Sequence, residues 1–346
     1  MNIVIRTDAS IEIGTGHVMR CLTLANKLIN NGSEVTFICR DLPGNSVSYI
    51  RNQGIEVVIL KDNYSFTSQQ ILQSFKHKPD LLIVDHYEIN FLWESQMRPF
   101  VKKIMVIDDL ANRKHDCDLL LDQNYLFNYE NRYNGLVPID CKQLLGPNYL
   151  LIRNEFKKSK SNIKFSPERV KNILVFFGGS DATNETEKTI LALEEIIDLY
   201  GFCLHVVVGN SNPNKKKIES LCNKLNNTNF YCQVNNISEL MVNADLAIGA
   251  AGTTTWERCY LSLPSIVIVI AENQIEIAKS VADKEAIINL GYYNTVLTND
   301  IRDAVVNILN NINKLKELSN NCSQIINSDI VDRFPLIDEI HLLNTK

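Results

Sequence analysis

The sequence predicts an α/β protein made of two Rossmann-like, doubly wound parallel-sheet domains with a cleft between them. Three observations predict it. Short β-branched apolar runs alternate with amphipathic stretches along the whole chain. The alternation pauses once near the middle and then restarts. Glycines stand where predicted strands hand over to predicted helices, as in open α/β sheets.

The first-half strands are "NIVIR" (2–6), "EVTFIC" (34–39), "IEVVIL" (55–60), "DLLIVD" (80–85), "KIMVID" (103–108) and "DLLLDQ" (118–123). Each has strand length and is apolar on both faces, as strands buried in a parallel sheet are. The clearest helix spans 18–30, where Val18, Cys21, Leu22, Ala25, Leu28 and Ile29 recur on one face. From Arg153 to Arg169 the chain reads "RNEFKKSKSNIKFSPER", charged and without a sustained apolar period, which predicts an exposed linker. Strands resume with "NILVFFGGS" (172–180), "CLHVVVGN" (203–210), "NFYCQV" (229–234), "ADLAIGA" (244–250) and "SIVIVI" (265–270), and a helical tail follows from Asn299. The expected domains are 1–155 and 156–346.

Composition narrows the function. With 346 residues and 45% apolar content the chain can bury two cores, and a net charge of −5 argues against a nucleic-acid partner. The nine cysteines form no CxxC pair or metal-spaced cluster, which predicts reduced thiols and no metal site. Arg6 and Asp8 interrupt the apolar start, so no secretory leader is expected, and the longest apolar run, "PSIVIVIA", is too short for a bilayer. A soluble cytoplasmic protein with no membrane partner is the expectation.

Three glycine-rich turns carry the candidate chemistry. In "EIGTGHVMRC" (12–21), Gly14 and Gly16 precede His17 at a predicted helix start. A dinucleotide fingerprint is disfavoured because Met19 holds the place of its third glycine, and Arg40 stands where an acid would meet a ribose. No GxxxxGK[ST] motif exists, which excludes a P-loop. The second turn, "FFGGSD" (176–181), offers Gly179 and Ser180. The third, "GAAGTTTWERCYLSLP" (249–264), places Gly252, Thr253 and Thr254 at a helix start with Glu257 just beyond. Free N–H groups and hydroxyls there can hold a phosphate. A carboxylate beside a phosphate is electrostatically odd unless it accepts from ribose hydroxyls, and taken alone the stretch reads equally well as an ordinary capped helix.

"IRTDASIEIGTGHVMRCLTLA" (5–25), "VDHYEI" (84–89), "FFGGSD" and "GAAGTTTWERCYLSLPSIVIVIAENQ" (249–274), in this order, resemble the hydrolase family of pseudaminic acid biosynthesis, which acts on UDP-2,4-diacetamido-2,4,6-trideoxy-β-L-altropyranose. The second half also resembles the nucleotide-binding half of the glycosyltransferases that make lipid II. The resemblance runs along the chain and implies a GT-B fold and cleavage of the anomeric C–O bond with inversion, without metal or other cofactor. It implies His17 as the base that activates water, Tyr87 and Asn273 as groups that meet the sugar or support the reaction, Gly252 to Thr254 at the diphosphate and Glu257 at the uridine ribose. Gly14, Gly16, Gly179 and Ser180 would line the substrate. The chain is longer than the most compact family members, between the domains and at its C-terminal end.

Physical reasoning adds that a neutral imidazole can take a proton from water, and that Asp8 can orient His17 through its other ring nitrogen. His86 reads as a strand-end histidine, and His77, His115 and His341 as solvent-facing. Asp108 and Asp109 close a strand and are ordinary turn formers as much as site residues. The competing functions are a glycosyltransferase on the same scaffold, a UDP-sugar 2-epimerase and a non-catalytic UDP-sugar sensor.

Overall fold

Ile3, Val4 and Ile5 are each almost wholly buried, and their alternation assigns them to different layers. Ile3 and Ile5 join one core with Ile83, Phe37 and Leu24, while Val4 joins another with Leu82, Val84 and Trp93. A strand buried on both faces needs a covered parallel sheet, which is what the chain builds. The computed structural model describes residues 1–60, 77–161 and 168–345.

The first sheet has seven strands: β1 (Asn2–Thr7), β2 (Glu34–Arg40), β3 (Glu56–Leu60), β4 (Leu81–Asp85), β5 (Lys103–Ile107), β6 (Leu119–Asp122) and β7 (Lys142–Leu145). They pair in the order 3-2-1-4-5-6-7, all parallel, with Thr7 opposite Asp85 across β1 and β4. The second has six: β8 (Asn172–Phe176), β9 (Cys203–Val208), β10 (Thr228–Cys232), β11 (Leu246–Ala250), β12 (Ser265–Val269) and β13 (Ile287–Tyr292), in the order 10-9-8-11-12-13 and again parallel. β7 and β13 were not among the expected strands.

The chain divides into two units: Met1–Asn124 with Asn128–Leu151 and Asp329–Lys346, and Tyr125–Phe127 with Ile152–Ser328. The expected boundary at 155 therefore moves to 151. The last eighteen residues, expected with the second domain, belong to the first, because Phe334, Leu336, Ile337 and Ile340 are buried in its core. The expected linker is corrected in part. Asn154–Lys160 is a helix of the second unit, with Phe156 fully buried and Ser159 hydrogen-bonded to Ser238. Residues 162–167 of that stretch lie outside the described residues.

The expected helix runs from Gly16 to Asn30 and buries Val18, Cys21, Leu22, Ala25 and Leu28, whereas Ile29 is exposed. All nine cysteines are free thiols, and seven of them are buried. No helix among the described residues is long and apolar enough to cross a membrane.

Candidate functional site

In each sheet the strand order reverses direction once, between β1 and β4 and between β8 and β11. Loops leaving the carboxyl ends of such a pair diverge to opposite sides, and ligands of open α/β sheets bind in the crevice they leave. His17 follows β1, and Tyr87 follows β4. In the second unit Gly179 and Ser180 follow β8, Gly252 to Glu257 follow β11, and Asn273 follows β12. The expected residues thus gather at the carboxyl ends of neighbouring strands in both units.

In the first unit, Gly14 adopts φ +78°, a conformation that favours glycine, and its N–H donates to Ser10 O at 2.8 Å. This tight turn delivers the chain to Gly16, the first residue of the helix, with His17 second. His17 Nδ1 lies 2.6 Å from Asp85 Oδ1. One helical turn on, Arg20 grips the same carboxylate twice, Nε to Oδ2 at 2.6 Å and Nη2 to Oδ1 at 2.6 Å, and reaches Asp109 Oδ2 with Nη1 at 2.8 Å. Burial alone would favour the neutral acid, but Arg20 and His17 hold Asp85 well below the usual carboxylate range. The same two acids, Asp85 first and then Asp109, hold the buried Arg20 guanidinium firmly charged despite desolvation.

Because Asp85 is an ionised acceptor, the short contact assigns a proton to His17 Nδ1, which donates it to Asp85. In the neutral imidazole Nε2 is then the nitrogen that carries the lone pair. Tyr87 packs against the imidazole in a T-shaped contact, ring centroids 4.5 Å apart and planes at 82°. His17 itself is 8% exposed.

Asp8 does not orient His17. It is the acceptor of a separate cluster, taking Arg6 Nη1 at 2.6 Å, Arg6 Nη2 at 2.8 Å, Arg40 Nε at 2.5 Å and the Arg40 backbone N–H at 2.7 Å. His86 completes that cluster. Its Nδ1 accepts from Glu88 N at 3.1 Å, which leaves Nε2 to donate to Asp8 Oδ2 at 3.0 Å. His115 is not solvent-facing but buried, pairing through Nδ1 with Glu94 at 2.7 Å, whereas His77 and His341 are exposed. Asp108 accepts from Tyr133 Oη and Ala111 N. Burial pushes the nearby Asp122 up to about 7, Arg132 offsetting part of that and Asp109 and Asp108 adding to it.

In the second unit, Gly178 takes φ +90° after β8, and Asp181 caps the Glu185–Tyr200 helix by accepting from Glu185 N and Thr186 N at 2.9 and 3.0 Å. A Cβ on Gly209 would stand 2.2 Å from Gly179 O. Gly209→Ala is therefore expected to displace the 178–180 turn and cost about 1–3 kcal/mol, read as a lower midpoint of thermal unfolding. After β11, Gly252 leads into a seven-residue helix, Thr254–Tyr260. Glu257 is gripped by Arg153 with Nε to Oε1 at 2.7 Å and Nη2 to Oε2 at 3.0 Å. Gln274 is the nearest neighbour a Cβ on Gly252 would meet, at 3.5 Å, and its Oε1 accepts from Ile270 N. Asn273 stands exposed beside it, in the turn Glu272–Gln274. Among the described residues no group of three or more His, Cys, Asp or Glu side chains is arranged to hold a metal ion.

Asp85, Arg20, Arg153 and Arg258 were missed by sequence reasoning. Asp85 had the best signal available, since it ends an apolar strand directly before His86 and Tyr87.

Two parallel Rossmann-like units, each with its loops gathered at a strand-order reversal, define a protein of the GT-B type. Residues 173–334 match the glycosyltransferase family 28 C-terminal domain. MurG of Acinetobacter baumannii shares the fold, with a TM-score of 0.64 at 14% identity over 98% of this chain and 99% of that one. The chain is 29% identical over 290 residues to the UDP-2,4-diacetamido-2,4,6-trideoxy-β-L-altropyranose hydrolase of Campylobacter jejuni, 82% of this chain and 97% of that protein. It is 31% identical over 286 residues to an uncharacterised protein of Methanocaldococcus jannaschii, covering 80% of this chain but only 57% of the archaeal one. The chain is thus similar to UDP-sugar hydrolases of pseudaminic acid biosynthesis and, over its second half, to family 28 glycosyltransferases.

Proposed function

We propose that the protein hydrolyses UDP-2,4-diacetamido-2,4,6-trideoxy-β-L-altropyranose to UDP and the free sugar, with inversion at the anomeric carbon. The observation that carries this reading is the His17–Asp85 pair, which leaves Nε2 of a nearly buried imidazole able to accept a proton. Nε2 takes a proton from water as the water oxygen bonds to the anomeric carbon. The bond from that carbon to the UDP oxygen breaks, and UDP leaves with the electron pair. Asp85 stabilises the imidazolium that forms, and a base so placed contributes about 10²- to 10⁴-fold.

Tyr87, in contact with His17, and Asn273 meet the sugar. Gly252, Thr253 and Thr254 hold the diphosphate, with Gly14, Gly16, Gly179 and Ser180 lining the substrate. Glu257 accepts from the ribose hydroxyls. Its two oxygens offer about four acceptor sites, so the Arg153 fork leaves room for a diol and also neutralises the carboxylate beside the phosphates. That answers the electrostatic oddity of an acid at this position. The substrate is a small molecule and the setting the cytoplasm, with neither nucleic acid nor membrane as partner, in keeping with the net charge of −5.

The family 28 match supports one competing reading, transfer of the sugar to an acceptor hydroxyl in place of water. Incubation with the UDP-sugar in ¹⁸O-water, without acceptor, separates the two. Release of UDP with ¹⁸O entering the sugar is the expected result. Binding of UDP without any release would overturn hydrolysis for this substrate.

A further inference from the structure

Three arginines are buried among the described residues: Arg6, Arg20 and Arg258. Arg6 is paired with Asp8, and Arg20 with Asp85 and Asp109. Arg258 has no carboxylate within ion-pair distance among the described residues. Its guanidinium donates instead to three neutral oxygens: Nη1 to Thr254 Oγ1 at 3.1 Å, Nη2 to Thr255 Oγ1 at 3.1 Å and Nη2 to Ala250 O at 2.8 Å. Its Nε has no partner at all.

The neighbouring titratable groups do not supply the missing charge. Glu257, the preceding residue, is already gripped by Arg153. The Cys322 thiol is pushed well above its usual range, first by its contact with Cys259 and then by burial, so it stays neutral. Desolvation accordingly lowers Arg258 from the ordinary guanidinium range, whereas the acids around Arg20 raise that residue. A buried cation without a counterion is costly, and folds seldom keep one without use.

Its location supplies the use. The guanidinium lies directly behind the 249–255 loop, where a Cβ on Gly249 would come within 3.2 Å of Nη1. An arginine can only donate, so it occupies a lone pair on the Thr254 hydroxyl and obliges that hydroxyl to donate elsewhere. A donor polarised in this way by a cation is a stronger one. Thr254 is half-buried and reachable by a ligand, while Thr255 is fully buried.

We propose that Arg258 is the standing countercharge of the nucleoside diphosphate, a positioning residue that acts through the Thr254 hydroxyl and makes the loop select a diphosphate over an uncharged nucleoside. The assignment rests on the reading of Gly252 to Thr254 as the diphosphate loop. It gives that loop a source of positive potential other than its short helix, and it stabilises UDP as negative charge grows on the departing oxygen.

Calorimetric titration of the full chain with UDP and with uridine tests it. Arg258→Met is expected to weaken UDP binding by about 10- to 100-fold and leave uridine binding unchanged. The ligand-free variant should unfold at the same temperature as wild type or a higher one, because an uncompensated charge has gone. Arg258→Lys keeps the charge but loses the fork, and should restore part of the preference. A folded Arg258→Met variant with an unaltered preference for UDP over uridine would overturn the proposal, as would a lysine variant no better than methionine. If Arg258→Met does not fold, Arg258→Gln decides: selective loss of UDP affinity supports the assignment, and an unchanged preference refutes it. Wild-type protein that shows no preference for UDP would remove the loop reading and the assignment together. UDP binding with Arg258-dependent preference but no turnover would instead remove only the hydrolase reading.

Discussion

His17→Leu is expected to lower kcat for UDP release by about 10²- to 10⁴-fold while UDP affinity stays where it was. The split follows from the distribution of roles. His17 stands on the helix after β1, whereas the groups assigned to UDP follow β8 and β11. Leucine fits the space of the imidazole and keeps the contact with Tyr87 apolar, so the loss reads the missing base and not a vacated cavity. Release at an undiminished rate would place the base elsewhere.

Asp85→Asn carries the second large effect, on two observables. Removing one partner of a buried ionic cluster costs about 3–5 kcal/mol, because Arg20 keeps its charge with only Asp109 left to answer it. The cost depends on pH in a definite direction. Asp85 lies below its unfolded value when folded, so its stabilisation is present above about pH 4 and fades as acid protonates it. The difference in unfolding temperature between wild type and Asp85→Asn should therefore narrow below about pH 4. Catalysis responds separately: without a charged acceptor the Nδ1–H form of His17 loses its advantage, and kcat should fall by about 10²-fold or more with little change in KM. Nitrogen-15 spectra of the histidine ring read the tautomer directly, and an unchanged Nδ1–H signal in the variant would rule out Asp85 as the orienting group.

Most of the fold was legible because its strands are buried on both faces. "DLLIVD" and "SIVIVI" contain no polar interruption, and both form central strands, β4 and β12. Both strands that escaped notice break this rule. β7, "KQLL", fully buries only Leu144, and β13, "IINLGY", has only Ile287 buried and meets β12 with an irregular register. Both lie at sheet edges, where one flank needs no apolar cover.

The candidate site was legible only in part. His17 was identifiable from its place after two glycines at a helix start, and the glycine turns from their position after strands. Its partner was not, since Asp85 is 68 residues away and is brought close only by the parallel pairing of β1 with β4, which sets Thr7 opposite Asp85. Asp8 is nearer in sequence, but the Arg6 and Arg40 guanidiniums and His86 take up its carboxylate. Arg258 gave no signal because an unpaired charge is defined by what surrounds it, which a one-dimensional pattern does not record.

The return of the chain to its first unit bears on the order in which the protein is made. Phe334, Leu336, Ile337 and Ile340 complete the core that holds Ile3, Ile5 and Phe37. Vectorial synthesis delivers all of Ile152–Ser328 before those four side chains leave the ribosome. The second unit can therefore close on itself while the first still exposes an apolar face of its sheet. The part of the protein that begins first is the last to be finished, and its nascent form is the one a chaperone would have most reason to cover.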